Sequence, residues 1–272
     1  MQHTSPLSAP GRTKTMPIIS TADRFLGSLV GAYMGHSYAN RPDTRNSLLY
    51  QSWLDDIQQN RIPGPTLSDF SPAVSLPWLL YHHDDSRTRH DWLAHSLEPI
   101  QSTAPDHVTT TMGVLYILGD SLEWLMQCLP TVQHPLPLLC KHLRHQLSTY
   151  PPGVSAQVTP LIEWLSSESL RPSPVRQDIL VAAMALALQQ CLKYRENLAF
   201  ALNNDSMSQP APAMIGCLLG AWGGTAIIPT PWMMSLAPDS RQDLSHIAQH
   251  IYRNWAGISC IEGTFETLPL DL

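Results

Sequence analysis

The chain has 272 residues, a formal net charge of −6 and a sequence pI near 6.0, with no run of Lys or Arg longer than a pair, which excludes the basic face of a nucleic-acid binder. Only 14% of its residues are charged, against roughly 25% in an ordinary soluble protein, so much of the surface is expected to be covered by core or by a partner. The five cysteines, Cys128, Cys140, Cys191, Cys217 and Cys260, are odd in number and lack C-x-x-C spacing, the usage of reduced cytoplasmic thiols rather than of a disulfide framework.

Residues 1–20 are rich in Ser, Thr and Pro without an apolar h-region, which reads as a flexible N-terminal tail and not as a secretory signal. A first helix follows, in which Gly27, Gly31 and Gly35 recur every four residues and leave one side bare of side chains. Thr44 to Gln59 places Leu48, Leu49, Trp53, Leu54 and Ile57 at helical spacing, and Pro63-Gly64-Pro65 closes that unit. Further helices are expected over Val74 to His82, Asp91 to Ile100, Val108 to Leu129 and Leu138 to Leu147. After Pro151-Pro152-Gly153 comes one through Leu161, Ile162 and Leu165. Pro172 and Pro174 mark a hinge between halves, and Gln177 to Leu202 reads as one long helix whose ILVAAMALAL core is buried on all sides.

The sharpest pattern is Ala211 to Met234, APAMIGCLLGAWGGTAIIPTPWMM. Met214, Cys217, Leu218 and Ala221 share an apolar face, and Gly216, Gly220 and Gly224 form a second bare stripe. Gly223-Gly224 ends the helix, and Pro229 and Pro231 leave an extended segment that delivers Trp232. The continuously apolar part, about Ala213 to Ile228, is shorter than the roughly 20 residues a bilayer needs, so no membrane span is expected. His246 and His250 share a face of a last helix, and residues 259–272 read as a C-terminal tail. Nothing alternates with period two long enough to make a strand. The expected fold is therefore all-α, with residues 21–258 as one domain.

Two stretches carry a family resemblance. Asp23-Arg24-Phe25-Leu26-Gly27-Ser28-Leu29-Val30-Gly31-Ala32-Tyr33-Met34-Gly35 resembles the opening helix of the ADP-ribosylglycohydrolases, including the dinitrogenase-reductase-activating glycohydrolases, "R-x-x-G-x-L-x-G-x-x-x-G-D". The late helix with its Gly-Ala, Ala-Ile-Ile-Pro and Trp is similar to their C-terminal signature "G-A…G…A-I-P…W". Tyr194-Arg195-Glu196-Asn197-Leu198 with Ala199 and Ala201 resembles the family's penultimate helix. The resemblance implies a compact orthogonal helical bundle, and the matching glycine stripes would let the first and late helices meet glycine face to glycine face. It also implies hydrolysis of the N- or O-glycosidic bond of ADP-ribosylated substrates at a pair of divalent cations, usually magnesium.

Carried over residue by residue, that metal site is depleted. Two divalent ions a few Å apart need clustered anionic oxygens to offset their repulsion. The family's early Thr-Asp-Asp falls on Ser68-Asp69-Phe70, and Phe70 cannot ligate. The late Asp-x-Asp-Thr aligns in two ways. Ungapped, Met207, Gln209 and Pro210 stand where Asp, Asp and Thr belong; with two extra residues, Asp205 and Ser208 are kept and Met207 replaces the second carboxylate. His36 replaces the aspartate after the third opening glycine. The implied site is thus Ser68, Asp69, Asp205 and Ser208, with Asp69 and Asp205 as residual catalytic carboxylates, and magnesium only if activity is retained.

Other constellations are weaker. His82-His83-Asp84-Asp85 reads as a solvated turn at a helix end, and His142 and His145 beside Lys141 and Arg144 as a basic helix face. His246 and His250 lack the intervening Glu of a metalloprotease motif. Three functions follow: an inactive family-like protein that binds or scaffolds a protein partner or a second copy, a residual ADP-ribosyl hydrolase, and a helical interaction module unrelated to ADP-ribose. Trp78, Trp92, Trp124, Trp164, Trp222, Trp232 and Trp255 are more large aromatics than one core needs, which favours a binding surface.

Overall fold

The computed structural model describes residues 19–40, 53–57, 59, 72–101, 105–128, 132, 134–166, 179–203 and 210–258, and these residues form helices and no strand. In chain order the α-helices are α1 (Thr21–Asn40), α2 (Pro72–Tyr81), α3 (Ser86–Gln101), α4 (Pro105–Gln127), α5 (Pro135–Gln146) and α6 (Pro152–Ser166). They continue with α7 (Ile179–Lys193), α8 (Leu198–Leu202), α9 (Pro210–Gly223), α10 (Thr230–Ser235) and α11 (Pro238–Trp255). A helical turn at 53–57 buries Trp53, and 3₁₀ turns follow α5 (Leu147–Thr149) and α9 (Gly224–Ile227). The all-α class expected from the sequence is the class found.

The proline surplus has a structural use. Among the described residues, α2, α4, α5, α6, α9 and α11 open on proline: Pro72, Pro105, Pro135, Pro152, Pro210 and Pro238. The first helical position has no intrahelical partner for its N–H, so proline costs nothing there and its fixed φ presets the helix.

The axis of the fold is the pair α1 and α9. A Cβ built on Gly31 would overlap the Gly216 backbone, one on Gly27 would overlap Gly224, and one on Gly35 would overlap the Pro212 carbonyl. From the other side, a Cβ on Gly216 would strike Gly31 and one on Gly220 would strike Gly27. Rising numbers on α1 meet falling numbers on α9, so the helices run antiparallel with backbones in direct contact. Both are sheathed by other helices: α9 also packs on α7, α4 and α2, and α1 on α11. Residues 210–227 are long and apolar enough to cross a membrane, yet 83% of that window is buried within the fold, as befits a central core helix.

Arg24 clamps this axis to its neighbour. Its Nη1 donates to the carbonyls of Leu125 at 2.6 Å, Met126 at 3.3 Å and Ala221 at 3.3 Å, and its Nη2 donates to Cys128 O at 3.2 Å. A buried cation thus satisfies the orphan carbonyls that close α4 and α9, where the helix dipoles favour positive charge. Gly224, at φ +62°, ends α9 in the left-handed region, and Asp23 accepts from Thr225 Oγ1 at 2.7 Å and Thr225 N at 3.3 Å just beyond it.

Four sequence expectations need correction. The segment after α9 is extended only at Ile228 and Pro229: a 3₁₀ turn precedes them and α10 follows, with Pro231 in its first turn and Trp232 half-buried within it rather than on an extended strand. Gln177 to Leu202 is not one helix, because Asn197 turns extended and caps α8 by accepting from Ala199 N at 2.9 Å, breaking the run at residues 194–197. Nor is its apolar core buried all round, since Ile179 is 71% exposed. The tryptophans are not surplus: all eight are core residues or half-buried rings packed against the core. Among the described residues Cys128, Cys140, Cys191 and Cys217 form no disulfide, and Cys260, residues 1–18 and 259–272, Pro172 and Pro174 lie outside the described residues.

Candidate functional site

Ser68, Asp69, Phe70, Asp205, Met207 and Ser208 all lie outside the described residues. What the structure does give is the end of the axis at which the chain enters α9. Gly35 against Pro212 sets the last turn of α1 beside the first turn of α9, so position 36 and the point where the chain enters α9 share one end of the bundle. His36 is half-buried there, and burial pushes its pKa below the usual histidine value, leaving a neutral imidazole at neutral pH. Among the described residues, no three His, Cys, Asp or Glu side chains gather in a geometry that could hold a metal.

The opposite end of α1 opens on a cavity of about 350 Å³ between α1 and α11, lined by Leu26, Ala248, Tyr252 and Ile258 with Asp23 and Arg253 among its polar groups. The cavity sits far along α1 from position 36, and both oxygens of Asp23 are already engaged by Thr225.

The His82-His83-Asp84-Asp85 stretch forms the expected turn, but its members divide. Asp84 and Asp85 are exposed, and Asp85 caps α3 by accepting from Thr88 N at 2.9 Å, a bond that holds its carboxyl below the usual range. His83 is instead a core residue, edge-on to Phe25 at 5.4 Å, its Nδ1 2.8 Å from Leu80 O, with its pKa lowered by burial. On α11, His246 is exposed and His250 half-buried, its pKa also lowered by burial.

The most concentrated chemistry is a buried cluster that the sequence reading missed. Arg89 on α3 is fully buried, and its Nη2 donates to Asp120 Oδ1 and to Glu123 Oε2 at 2.9 Å, both on α4. Its Nη1 donates to the carbonyls of His82 at 2.6 Å and His83 at 3.1 Å. Gly119 makes room for the guanidinium, since a Cβ there would lie 2.6 Å from Arg89 Nε. His90 Nε2 lies 3.0 Å from Asp120 Oδ1, and Tyr150 Oη donates to Asp120 Oδ2. Tyr116 Oη donates to His90 O at 3.0 Å, and Thr149 Oγ1 stands 3.2 Å from His90 Nδ1.

The electrostatics follow from that geometry. Burial alone would raise Asp120, but the His90 hydrogen bond, the Arg89 charge and the Tyr150 hydroxyl outweigh it and hold the carboxyl below its usual range. Burial and the neighbouring Asp120 charge push Tyr150 well above an ordinary phenol, and Tyr116 moves the same way. A sequence signal did exist. Asp120 interrupts the apolar stretch Val114 to Leu125 at a position that must face the core, where a carboxylate is found only with partners.

No family model, no curated protein and no solved structure matches this chain.

Proposed function

We propose that this chain is an ADP-ribosylglycohydrolase-like protein that has lost metal-dependent hydrolysis and works in the cytoplasm as a binding or scaffolding protein, engaging a protein partner or a second copy of itself. The observation that carries the reading is the juxtaposition made by the glycine seam, which brings the end of α1 beside the start of α9. In the resembled family the carboxylates belong at the end of the first helix and just before the late one. Here the sequence has His36 in the first place and Met207 in the second. A neutral imidazole and a thioether bring none of the negative charge that two adjacent divalent ions need. No cofactor is required for the binding role.

Two further observations support a contact surface at this end. Tyr38, two residues past His36, is 53% exposed and stacks on Trp232 with ring centroids 6.1 Å apart. The chain is also poor in charge throughout. Aromatic side chains that are part apolar and part wet are common anchors at interfaces.

The test is to incubate the purified protein with ADP-ribosylated substrate and magnesium while following its mass by light scattering. The reading expects no release of ADP-ribose and a concentration-dependent species larger than the monomer. Release that is abolished by Asp69→Ala would instead support a residual hydrolase using Asp69 and Asp205. A strictly monomeric protein with no turnover would favour a helical module unrelated to ADP-ribose.

A further inference from the structure

We propose that Thr149, His90 and Asp120 form a hydroxyl–imidazole–carboxylate relay that makes Thr149 a nucleophile toward activated acyl esters, a site on different elements from the α1 and α9 axis and independent of the binding role. Three residues from three elements converge: Thr149 from the 3₁₀ turn after α5, His90 from α3 and Asp120 from α4. The links are 3.2 Å from Thr149 Oγ1 to His90 Nδ1 and 3.0 Å from His90 Nε2 to Asp120 Oδ1. Nucleophile within reach of base, and base oriented by a third group, is the arrangement that activates hydroxyls.

The hydrogen-bond bookkeeping sets the direction of the relay. Ionised Asp120 accepts and cannot donate, so His90 Nε2 must carry a proton. In the neutral ring the lone pair therefore sits on Nδ1, which faces the Thr149 hydroxyl. That hydroxyl has a second acceptor, Gln146 O at 2.7 Å, and turning its single proton to Nδ1 needs only rotation about the C–O bond. Asp120 is itself fixed by Arg89 and Tyr150, so neither carboxylate nor ring is free to turn away.

The charged groups of the cluster are Arg89, Asp120 and Glu123, tied together by the guanidinium. The other titratable groups facing the ring are Tyr116 and Tyr150, both phenols held in the neutral form. Accessibility is arranged in the same order. Asp120 is fully buried, the His90 side chain is 7% exposed, and Thr149 is exposed at the surface. The hydroxyl is the member of the relay that a substrate can reach.

In the step, Thr149 Oγ attacks the ester carbonyl carbon while its proton passes to His90 Nδ1. The new Oγ–C bond forms, the ester C–O bond breaks, and the leaving alkoxide or phenolate takes the proton from His90. The acyl group remains on Thr149, with no oxidant or reductant involved.

The probe is p-nitrophenyl acetate on the full chain, with peptide mapping of the acetylated residue. Ser148 is an internal control, because it is also exposed, adjacent, and donates to His145 O rather than facing His90. A positioned general base contributes about 10²-fold or more, so Thr149 should acetylate at least about 100-fold faster than Ser148 despite its more hindered hydroxyl. Thr149→Val should remove the fast phase. His90→Gln, checked for folding by circular dichroism, should slow Thr149 to the Ser148 rate, and should it fail to fold the Thr149-to-Ser148 ratio in the unmodified chain decides alone. Equal labelling of the two residues, or no labelling of Thr149, overturns the relay.

Discussion

Replacing Gly31 by alanine isolates the energetics of the helix pair. In an exposed helix the change would gain about 0.5–1 kcal/mol, because alanine loses less backbone entropy than glycine. At Gly31 the added methyl must occupy space held by the carbonyl group of Gly216, and that obstacle is backbone within a fully buried helix, not the end of a side chain that can swing aside. Accommodating it requires α1 and α9 to separate along a seam that continues through Gly27 with Gly220 and Gly35 with Pro212. Overpacking of a well-filled core costs typically 1–3 kcal/mol and more when backbone must move, so the propensity gain is outweighed. Gly153→Ala is the matched control, since a Cβ there meets only Thr109 Cγ2 at an ordinary 3.7 Å. With about 1 kcal/mol shifting Tm by roughly 2–4 °C in a chain of this size, Gly31→Ala should melt several degrees below the unmodified protein, while Gly153→Ala melts level with it or above. Gly31→Leu should be worse still. Thermal melts in which Gly31→Ala and Gly153→Ala move together would refute the backbone contact.

Other consequences are equally open to measurement. Arg89→Met leaves Asp120 buried without its cation and should destabilise by about 3–5 kcal/mol in urea unfolding, whereas an unchanged midpoint would mean water reaches the cluster. Because burial lowers the His83 pKa, the unfolded ring protonates near pH 6.5 while the folded ring resists. The His83 contribution to stability is therefore full above that pH and declines as pH falls below it, so Tm measured between pH 8 and 5 should fall less in His83→Asn than in the unmodified chain. Asn197→Ala should lose the cap of α8 at a cost of about 0.5–2 kcal/mol, read by the same melts, and Asn197→Asp should recover most of it.

Parts of this fold were legible because their signals are local. The glycine spacing of α1 and α9 needs only neighbours four residues apart to reveal a bare face, and two bare faces of equal repeat invite pairing. The end of α9 at Gly223-Gly224 was likewise written in two residues. The break between α7 and α8 was missed because helical propensity runs on through Tyr194-Arg195-Glu196, and the cap at Asn197 is decisive only once tertiary packing selects it. The Arg89 to Asp120 cluster was missed because its partners lie 31 residues apart, and a helical repeat cannot tell which of two polar faces turns inward. Tryptophan number decided nothing about the surface: with α1 and α9 at the centre and the other helices wrapped around them, every indole found a seat in or against the core. The meeting of the end of α1 with the start of α9 became visible only in the structure, through Gly35 against Pro212.

Calorimetric titration of the purified chain with magnesium chloride bears most directly on the proposed loss of hydrolysis. With His36, Phe70 and Met207 at the positions where the resemblance implies carboxylates, the account predicts heats of dilution alone at physiological magnesium. Two sites of micromolar affinity would contradict it.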